Sequence, residues 1–216
     1  MVGPLGRGGV GMTARDHLDR YYTPDALAEA CLLAMDESLW GYAPARVLEP
    51  YVGGGAFLRA ARRLWPRVQV EGCDVDSDAP ACAAAAEGLL VQLCTAAEWA
   101  PAPGPRTWIV SNPPYRDVYD TVAEARALMA RAGAVRLGLL LRATALARLM
   151  ASDDPPAQVL IARQRPRWGG PGGAGLRSSD SVDAVFCVWE AEPVDCAVLR
   201  GLDWRPKGRA GAGGAR

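Results

Sequence analysis

Short, continuous apolar segments alternate with amphipathic segments along most of the chain. Seven apolar segments predict buried strands, and they cover residues 46–50, 67–73, 89–94, 106–111, 135–142, 157–163 and 181–190. Segments with a helical spacing of apolar residues predict helices at 21–39, 55–65, 79–88 and 117–133. Strands that alternate with helices usually form a parallel sheet covered on both faces. The pattern therefore predicts an α/β fold of three layers, with a mostly parallel, Rossmann-like sheet of seven strands.

The two ends of the chain and one internal segment do not follow this alternation. Residues 1–15 and 205–216 are rich in glycine, and we expect both to be flexible. A third glycine-rich segment, 163–180, separates the last two predicted strands and is expected to form a surface loop. The remaining residues, 16–204, are expected to fold as a single domain, because their number is typical of one.

Composition argues against several classes of protein. Lys plus Arg number 24 and Asp plus Glu also number 24, so the zero net charge predicts no general affinity for polyanions. The six cysteines contain no Cys-x-x-Cys pair and His17 is the only histidine, so we expect no metal site. The N-terminal residues lack the apolar segment of a signal peptide, and the longest apolar run, 137–150, contains two arginines. We therefore expect a cytoplasmic protein without a membrane-spanning segment.

Three glycines separate the first predicted strand from the helix that follows it. In the segment 47–57, VLEPYVGGGAF, Gly53 and Gly55 lie where the backbone can approach a ligand closely. Asp74 lies at the end of the next predicted strand, where an acidic side chain can bind ribose hydroxyls. Glu49 would repel a pyrophosphate but suits a cationic amino-acid group. The pattern predicts a cofactor that contains a nucleoside; the alternative is a glycine-rich turn without a ligand.

The fourth predicted strand ends at two consecutive prolines, in SNPPY (111–115). Pro113 and Pro114 cannot donate hydrogen bonds to a sheet, so they end the strand in a rigid loop. In such a sheet the fourth strand lies beside the first, and Asn112 would then face the same crevice as the glycines. Its side-chain oxygen and the carbonyl oxygen of Pro113 can accept hydrogen bonds from an exocyclic amine, while Tyr115 stacks on the ring that carries the amine. The alternative is an ordinary Pro-Pro turn.

Residues 112–115, NPPY, resemble the catalytic motif of S-adenosylmethionine-dependent amino-methyltransferases, above all the adenine-N6 DNA methyltransferases. The segment 48–57, LEPYVGGGAF, is similar to their cofactor motif E-P-x-x-G-x-G-x-F. The segments 72–76, GCDVD, and 21–24, YYTP, resemble their ribose motif and the segment that contacts the methionine part of the cofactor. The resemblance covers residues 20–190 and implies the class I methyltransferase fold.

The resemblance also implies a role for each matching residue. It implies that S-adenosylmethionine is bound by Tyr22, Thr23, Glu49, Gly53, Gly55, Phe57, Asp74, Val75, Thr95 and Asn112. The catalytic residues that it implies are Asn112, Pro113, Pro114 and Tyr115. Trp168, in the segment RPRW, lies where the family keeps an aromatic residue that packs on the target base.

Two departures from the family pattern bear on function. Thr95 stands where the family usually has an aspartate that binds the adenine of the cofactor, and Glu98 is the acid that would have to compensate. The sequence also shows no target-recognition domain, so we expect relaxed specificity, a very short target or a protein partner that supplies specificity. Arg165 and Arg167 flank Trp168 in the 163–180 loop and suit contacts with phosphates. The alternative for these arginines is a solvated loop.

These observations predict transfer of a methyl group from S-adenosylmethionine to the N6 amine of adenine in DNA. The base would have to leave the stack first, because its amine is otherwise paired. Methylation of adenine in RNA or of a glutamine amide in a protein uses the same chemistry, so both remain alternatives. A third alternative is a catalytically silent relative that binds nucleic acid or a protein partner.

Overall fold

The computed structural model describes residues 21–36, 43–79, 88–115, 118–166, 168, 183–192 and 197–204. The expected flexible ends, most of the helix expected at 79–88, most of the 163–180 loop and Arg167 lie outside the described residues. Within the described ranges, no helix has the length and apolar character needed to cross a membrane.

Eight strands form one sheet, in the order β3-β2-β1-β4-β5-β7-β6-β8. Their bounds are β1 Arg46–Glu49, β2 Gln69–Asp74, β3 Leu90–Leu93, β4 Thr107–Ser111, β5 Ala134–Arg142, β6 Gln158–Ala162, β7 Ala184–Glu190 and β8 Val198–Leu202. The predicted α/β fold with a mostly parallel sheet is confirmed, but the sheet has one strand more than expected. Only Leu202 of β8 is buried, so this edge strand lacks the continuous buried run of the central strands.

One strand, β7, runs against its neighbours. It pairs antiparallel with β5 and β6, whereas all other strand pairs of the sheet are parallel. The order of the strands reverses at β1, because β2 and β3 lie on one side of it and β4 lies on the other. Ligands of open α/β sheets bind at the carboxyl edge where the order reverses. The loops that follow β1 and β4 therefore border the expected ligand site.

Helices cover both faces of the sheet. They are α1 Asp25–Asp36, α2 Ala56–Leu64, α3 Val118–Ala132 and α4 Leu146–Met150, and a 3-10 helix at Ala143–Ala145 precedes α4. One apolar cluster packs α1 and α2 against the sheet and includes Val47 and Val110, while a second packs α3 and includes Leu48 and Ile109. Consecutive residues of β1 and β4 enter opposite clusters, which explains why these strands are apolar throughout. Both strands therefore end at fixed positions in the middle of the sheet.

Candidate active site

The loops that follow β1 and β4 meet at the same edge of the sheet. The two strands pair in parallel, with Leu48 opposite Ile109, so their carboxyl ends lie side by side. A central cavity of about 90 Å³ opens between the loops, and the predicted site residues that line it are Tyr22, Gly53, Asp74, Val75, Asn112, Pro113 and Pro114. A smaller adjoining cavity is lined by Thr23 and Glu49. The structure thus brings most of the predicted site residues together.

The glycine turn needs backbone conformations that other residues avoid. Gly53 has φ +48° and Gly55 has φ +75°, both in the left-handed region. A Cβ at Gly53 would lie 3.3 Å from the ring of Tyr22, so this ring rests directly on the turn. Gly55 precedes the first residue of α2 and lies outside the lining of both cavities. Gly53 therefore exposes its backbone to the central cavity, while Gly55 shapes the turn.

Asp74 ties the end of β2 to the glycine turn. Its Oδ2 accepts a hydrogen bond from the Gly53 N–H at 2.8 Å, and its Oδ1 accepts one from the Asp76 N–H at 2.8 Å. Burial raises the pKa of Asp74, and these two backbone N–H groups oppose the shift. A carboxylate offers about four acceptor positions, so both oxygens can still accept from the hydroxyls of a bound ribose. The exposed side chain of Val75 lies next to it in the cavity.

Glu49 is a buried acid with one oxygen that has no partner. The residue is 2% exposed, and its Oε2 makes no hydrogen bond within the described part of the chain. Burial raises the pKa of Glu49 well above its usual range; the N–H of Leu58 opposes the shift, the charge of Asp74 adds to it and Arg59 opposes it. A cationic group in the smaller cavity would stabilise the ionised carboxylate and satisfy its free oxygen.

Asn112 is held in one orientation by a backbone group of the segment before α1. Its Nδ2 donates a hydrogen bond to the carbonyl oxygen of Tyr21 at 2.7 Å. Its Oδ1 is buried and has no hydrogen-bond partner among the described residues. An amide oxygen in this state lacks a donor, and an unpaired buried acceptor costs free energy. The Asn112 side chain therefore presents a fixed acceptor at the carboxyl edge of β4.

Tyr115 belongs to an aromatic cluster that it forms with Tyr21 and Trp168. The Tyr115 and Tyr21 rings are stacked, with centroids 5.7 Å apart and an angle of 29° between the planes. Trp168 packs edge-on against both rings, at 6.1 Å from Tyr115 and 6.4 Å from Tyr21. Trp168 is 2% exposed and Tyr115 is 6% exposed. Trp168 therefore lies beside the loop that follows β4, but the Tyr21 ring lies on the Tyr115 ring, where a target base was expected to stack.

Besides Gly55, two further residues predicted to bind the cofactor line neither cavity. Phe57 is fully buried in the core, with its ring 6.5 Å from that of Phe186, because it lies on the inner face of α2. Thr95 is exposed and forms a capping box with Glu98: its N–H and Oγ1 donate to Glu98 Oε2 at 3.0 and 2.8 Å, and the Glu98 N–H donates to Thr95 Oγ1. Glu98 is therefore engaged locally and does not reach the cavity in place of the missing aspartate.

The structure describes one of the two arginines predicted to contact phosphates, Arg165. Arg165 forms an exposed ion pair with Asp183, with its Nε 2.8 Å from Oδ1, and Arg167 lies outside the described residues. Sequence reasoning also missed Tyr21 and Tyr51, which line both cavities. The only signal for Tyr21 was its position beside the Tyr22 and Thr23 pair. Of the side chains with described positions, no three His, Cys, Asp or Glu residues form a group that could hold a metal ion.

Several solved structures that share this fold are described as methyltransferases. A protein from Listeria monocytogenes, assigned as a class I S-adenosylmethionine-dependent methyltransferase, matches with a TM-score of 0.60 and 15% identity, over 89% of this chain and 69% of that one. A protein from Pyrococcus horikoshii assigned as an RNA methyltransferase matches with a TM-score of 0.59 and 15% identity, over 80% of this chain and 88% of that one. A methyltransferase subunit of a type I restriction-modification system from Streptococcus thermophilus matches with a TM-score of 0.55 and 13% identity, over 83% of this chain and 47% of that one.

The chain therefore has the class I methyltransferase fold. No protein-family model matches it, and no curated protein matches its sequence. At 13–15% identity, structural similarity establishes the fold alone, so the function has to be argued from the site.

Proposed function

We propose that this protein is a methyltransferase that moves a methyl group from S-adenosylmethionine to the N6 amine of adenine in DNA. The observation that carries the proposal is the state of Asn112. Its Nδ2 is anchored on the Tyr21 carbonyl, which leaves Oδ1 as a buried, unused acceptor. Asn112 lines the same cavity as Gly53 and Asp74.

The residues around the glycine turn suit S-adenosylmethionine. The unused Oε2 of Glu49 matches a cationic amino-acid group, and the carboxylate of Asp74 matches ribose hydroxyls. The open backbone of Gly53 permits close approach of the ligand. The central cavity of about 90 Å³ is smaller than the roughly 300 Å³ or more that small-molecule sites occupy, so Tyr21 and Tyr22 have to move when the cofactor enters.

S-adenosylmethionine supplies an electrophilic methyl group on a positively charged sulfur. The chain's contribution is to hold the acceptor amine in line with that group. Asn112 Oδ1 and the carbonyl oxygen of Pro113 accept hydrogen bonds from the two amine protons, which raises the electron density on nitrogen. The nitrogen forms its bond to the methyl carbon while the carbon–sulfur bond breaks, and the extra proton then passes to water. No strong base is required by this scheme.

Support for a nucleic acid substrate comes from the aromatic cluster and from structural relatives. Tyr115 and Trp168 pack together beside the acceptor loop, and a base can stack on the Tyr115 ring once the Tyr21 ring has moved away. Two of the structural relatives carry the descriptions RNA methyltransferase and restriction-modification methyltransferase subunit. A glutamine amide in a protein is also a planar neutral amine, and RNA adenine carries the same N6 group. DNA is the substrate that we propose, with a protein partner as a source of sequence specificity.

The test is analysis of the product. The full-length protein is incubated with S-adenosylmethionine labelled in its methyl group and with DNA, RNA or a glutamine-containing peptide in parallel. The nucleic acids are then digested to nucleosides, and the nucleosides and the peptide are analysed by mass spectrometry. The Asn112→Ala protein is the control for contaminating enzymes. We expect labelled N6-methyl-2′-deoxyadenosine from DNA and no label in RNA or peptide. Label in RNA or in glutamine would show that this molecule, and not DNA, is the substrate. Label in none of the three would contradict the proposed activity.

A silent binding protein is the second candidate, and one observation favours it. The Tyr21 ring covers Tyr115, and the Tyr22 ring rests on the glycine turn. If these rings cannot move, the cofactor cannot enter. Calorimetric titration with S-adenosylmethionine separates the candidates, because a silent protein of this kind gives no binding heat up to millimolar cofactor.

A further inference from the structure

A third cavity is bordered by Tyr115, in the loop that follows β4. It has a volume of about 360 Å³, and its polar lining residues are Tyr119, Asp120, Arg142, Thr144 and Arg148. Tyr115 itself forms part of the wall. None of these residues except Tyr115 was singled out for a function from the sequence. The cavity is polar, open to solvent and adjacent to the proposed acceptor loop.

Each arginine of this cavity is held against an aromatic ring. The Cζ atom of Arg142 lies 5.0 Å from the centroid of the Tyr115 ring, and that of Arg148 lies 3.9 Å from the centroid of the Tyr119 ring. A guanidinium that rests on a ring face keeps its N–H donors free around its edge. The two rings therefore orient both cations without consuming their hydrogen-bonding capacity.

The two arginines also lack the acidic partners that other arginines of the chain have. Arg126 and Arg165, for example, pair with Asp154 and Asp183. Neither Arg142 nor Arg148 forms an ion pair with any described residue, and the Nε atom of Arg142 is buried without a hydrogen-bond partner there.

The positions of the two cations tie this cavity to the acceptor loop. Arg142 is the last residue of β5, which pairs in parallel with β4, so it lies at the same edge of the sheet as Asn112. Arg148 lies on the short helix α4, which follows directly. Among the described lining residues Asp120 is the one carboxylate, so in this part of the wall two positive charges face one negative charge. This excess of positive charge, with unused donors, favours an anion.

We propose that the cavity binds a backbone phosphate of a nucleic acid strand, next to the nucleotide whose base enters the acceptor loop. The inference deepens the proposed function and rests on it for the identity of the neighbouring base. Guanidinium groups match phosphate oxygens in a bidentate manner. Tyr115 forms a wall of this cavity and also carries the ring face proposed for the base. A strand that places its base on the aromatic cluster therefore passes its phosphate near Arg142 and Arg148.

The test measures binding of a strand as a function of salt, without cofactor. Fluorescence anisotropy with a labelled single-stranded DNA of twelve nucleotides gives the affinity at several salt concentrations. Log affinity falls linearly with log salt concentration, and the loss of one phosphate contact makes this slope shallower by about 0.7 for single strands. We expect Arg148→Gln to lower the slope by about this amount and the affinity by roughly tenfold. We expect Asp120→Asn to raise the affinity, because it removes the opposing charge.

The matched control is Arg67→Gln, which removes the same charge from an exposed arginine before β2, at the opposite edge of the sheet. It should leave the slope unchanged, and thermal unfolding should show that each variant is folded. Equal effects of Arg67→Gln and Arg148→Gln, or no strand binding by the wild-type protein, would overturn the proposal. An unchanged slope in Arg148→Gln would do the same even if methyl transfer to DNA is observed. Conversely, the expected slopes without any methyl transfer would leave the phosphate site intact and remove the proposed activity.

Discussion

A polar side chain at the end of β2 and another after the end of β4 line the central cavity, but the two side chains differ in their hydrogen bonds. Asp74, after β2, has both oxygens bonded to nearby backbone N–H groups. Asn112, after β4, is anchored through its nitrogen to the distant Tyr21 carbonyl, and its oxygen is left unused. The first arrangement stabilises a turn, whereas the second keeps an acceptor available at the expense of an unpaired polar atom. We therefore expect the β2 end to maintain the shape of the cavity and the β4 end to perform the proposed chemistry.

The largest effect is expected at the β4 end. Asn112→Ala removes the fixed acceptor while the backbone around it is unchanged, and we expect the rate of methyl transfer to fall by about 100- to 1,000-fold. Affinity for S-adenosylmethionine should change little, because Asp74 and Gly53 remain. Single-turnover rates and calorimetry measure the two quantities separately. Gln69→Ala, at the exposed start of β2, is the control. A wild-type rate in Asn112→Ala would contradict the role assigned to this residue.

At the β2 end we expect substitution to lower stability and cofactor affinity. Asp74→Ala deprives the Gly53 and Asp76 N–H groups of their acceptor, so we expect the free energy of unfolding to fall by roughly 1–3 kcal/mol. Cofactor affinity should fall together with stability, by about tenfold or more. Denaturant unfolding and calorimetry provide the measurements, and Asp153→Ala, an exposed acid beyond α4, controls for the lost charge. Unchanged stability would show that the carboxylate does not hold the turn.

Variants of Glu49 test whether its buried carboxylate binds a cationic group of the ligand. Because the pKa of its carboxyl is raised in the folded protein, stability falls as pH rises from the usual carboxyl range through the raised value. Glu49→Gln should therefore melt at a higher temperature than wild type at pH 8 and at the same temperature at low pH. Thermal unfolding across this pH range measures the difference.

The same variant should bind S-adenosylmethionine a few-fold more weakly at pH 8, since the ionised carboxylate no longer attracts the cationic group. Equal affinities for the cofactor in wild type and Glu49→Gln would indicate that the carboxylate faces no cation.

The smallest effect is expected from uncovering Tyr115. Tyr21→Ala removes the ring that stacks on Tyr115 but retains the carbonyl that orients Asn112. An aromatic pair contributes about 0.5–1.5 kcal/mol, so strand affinity should rise about two- to tenfold. Fluorescence anisotropy provides the measurement, with Leu199→Ala at the exposed edge of the sheet as a control. Weaker strand binding by Tyr21→Ala would show that Tyr21 is part of the binding surface.

Much of the architecture follows from local sequence patterns. The apolar runs of the central strands predict burial on both faces, and the glycines and prolines mark the two loops at their ends. The adjacency of β1 and β4 then follows from the chain order of such sheets, and the structure has it. Strand β8 escaped prediction because one edge strand with a single buried residue has no periodic signal.

What the sequence determined by itself is the set of loops and the residue types at the carboxyl edge of the sheet, because each depends on a few adjacent residues. Only the tertiary structure decided that Tyr21 lies on Tyr115 and that Arg142 and Arg148, unlike Arg165, have no acidic partner among the described residues. These outcomes depend on which rings and charges meet after folding. Residues far apart in the chain compete for the same partners, and spacing along the sequence carries no record of which contact prevails.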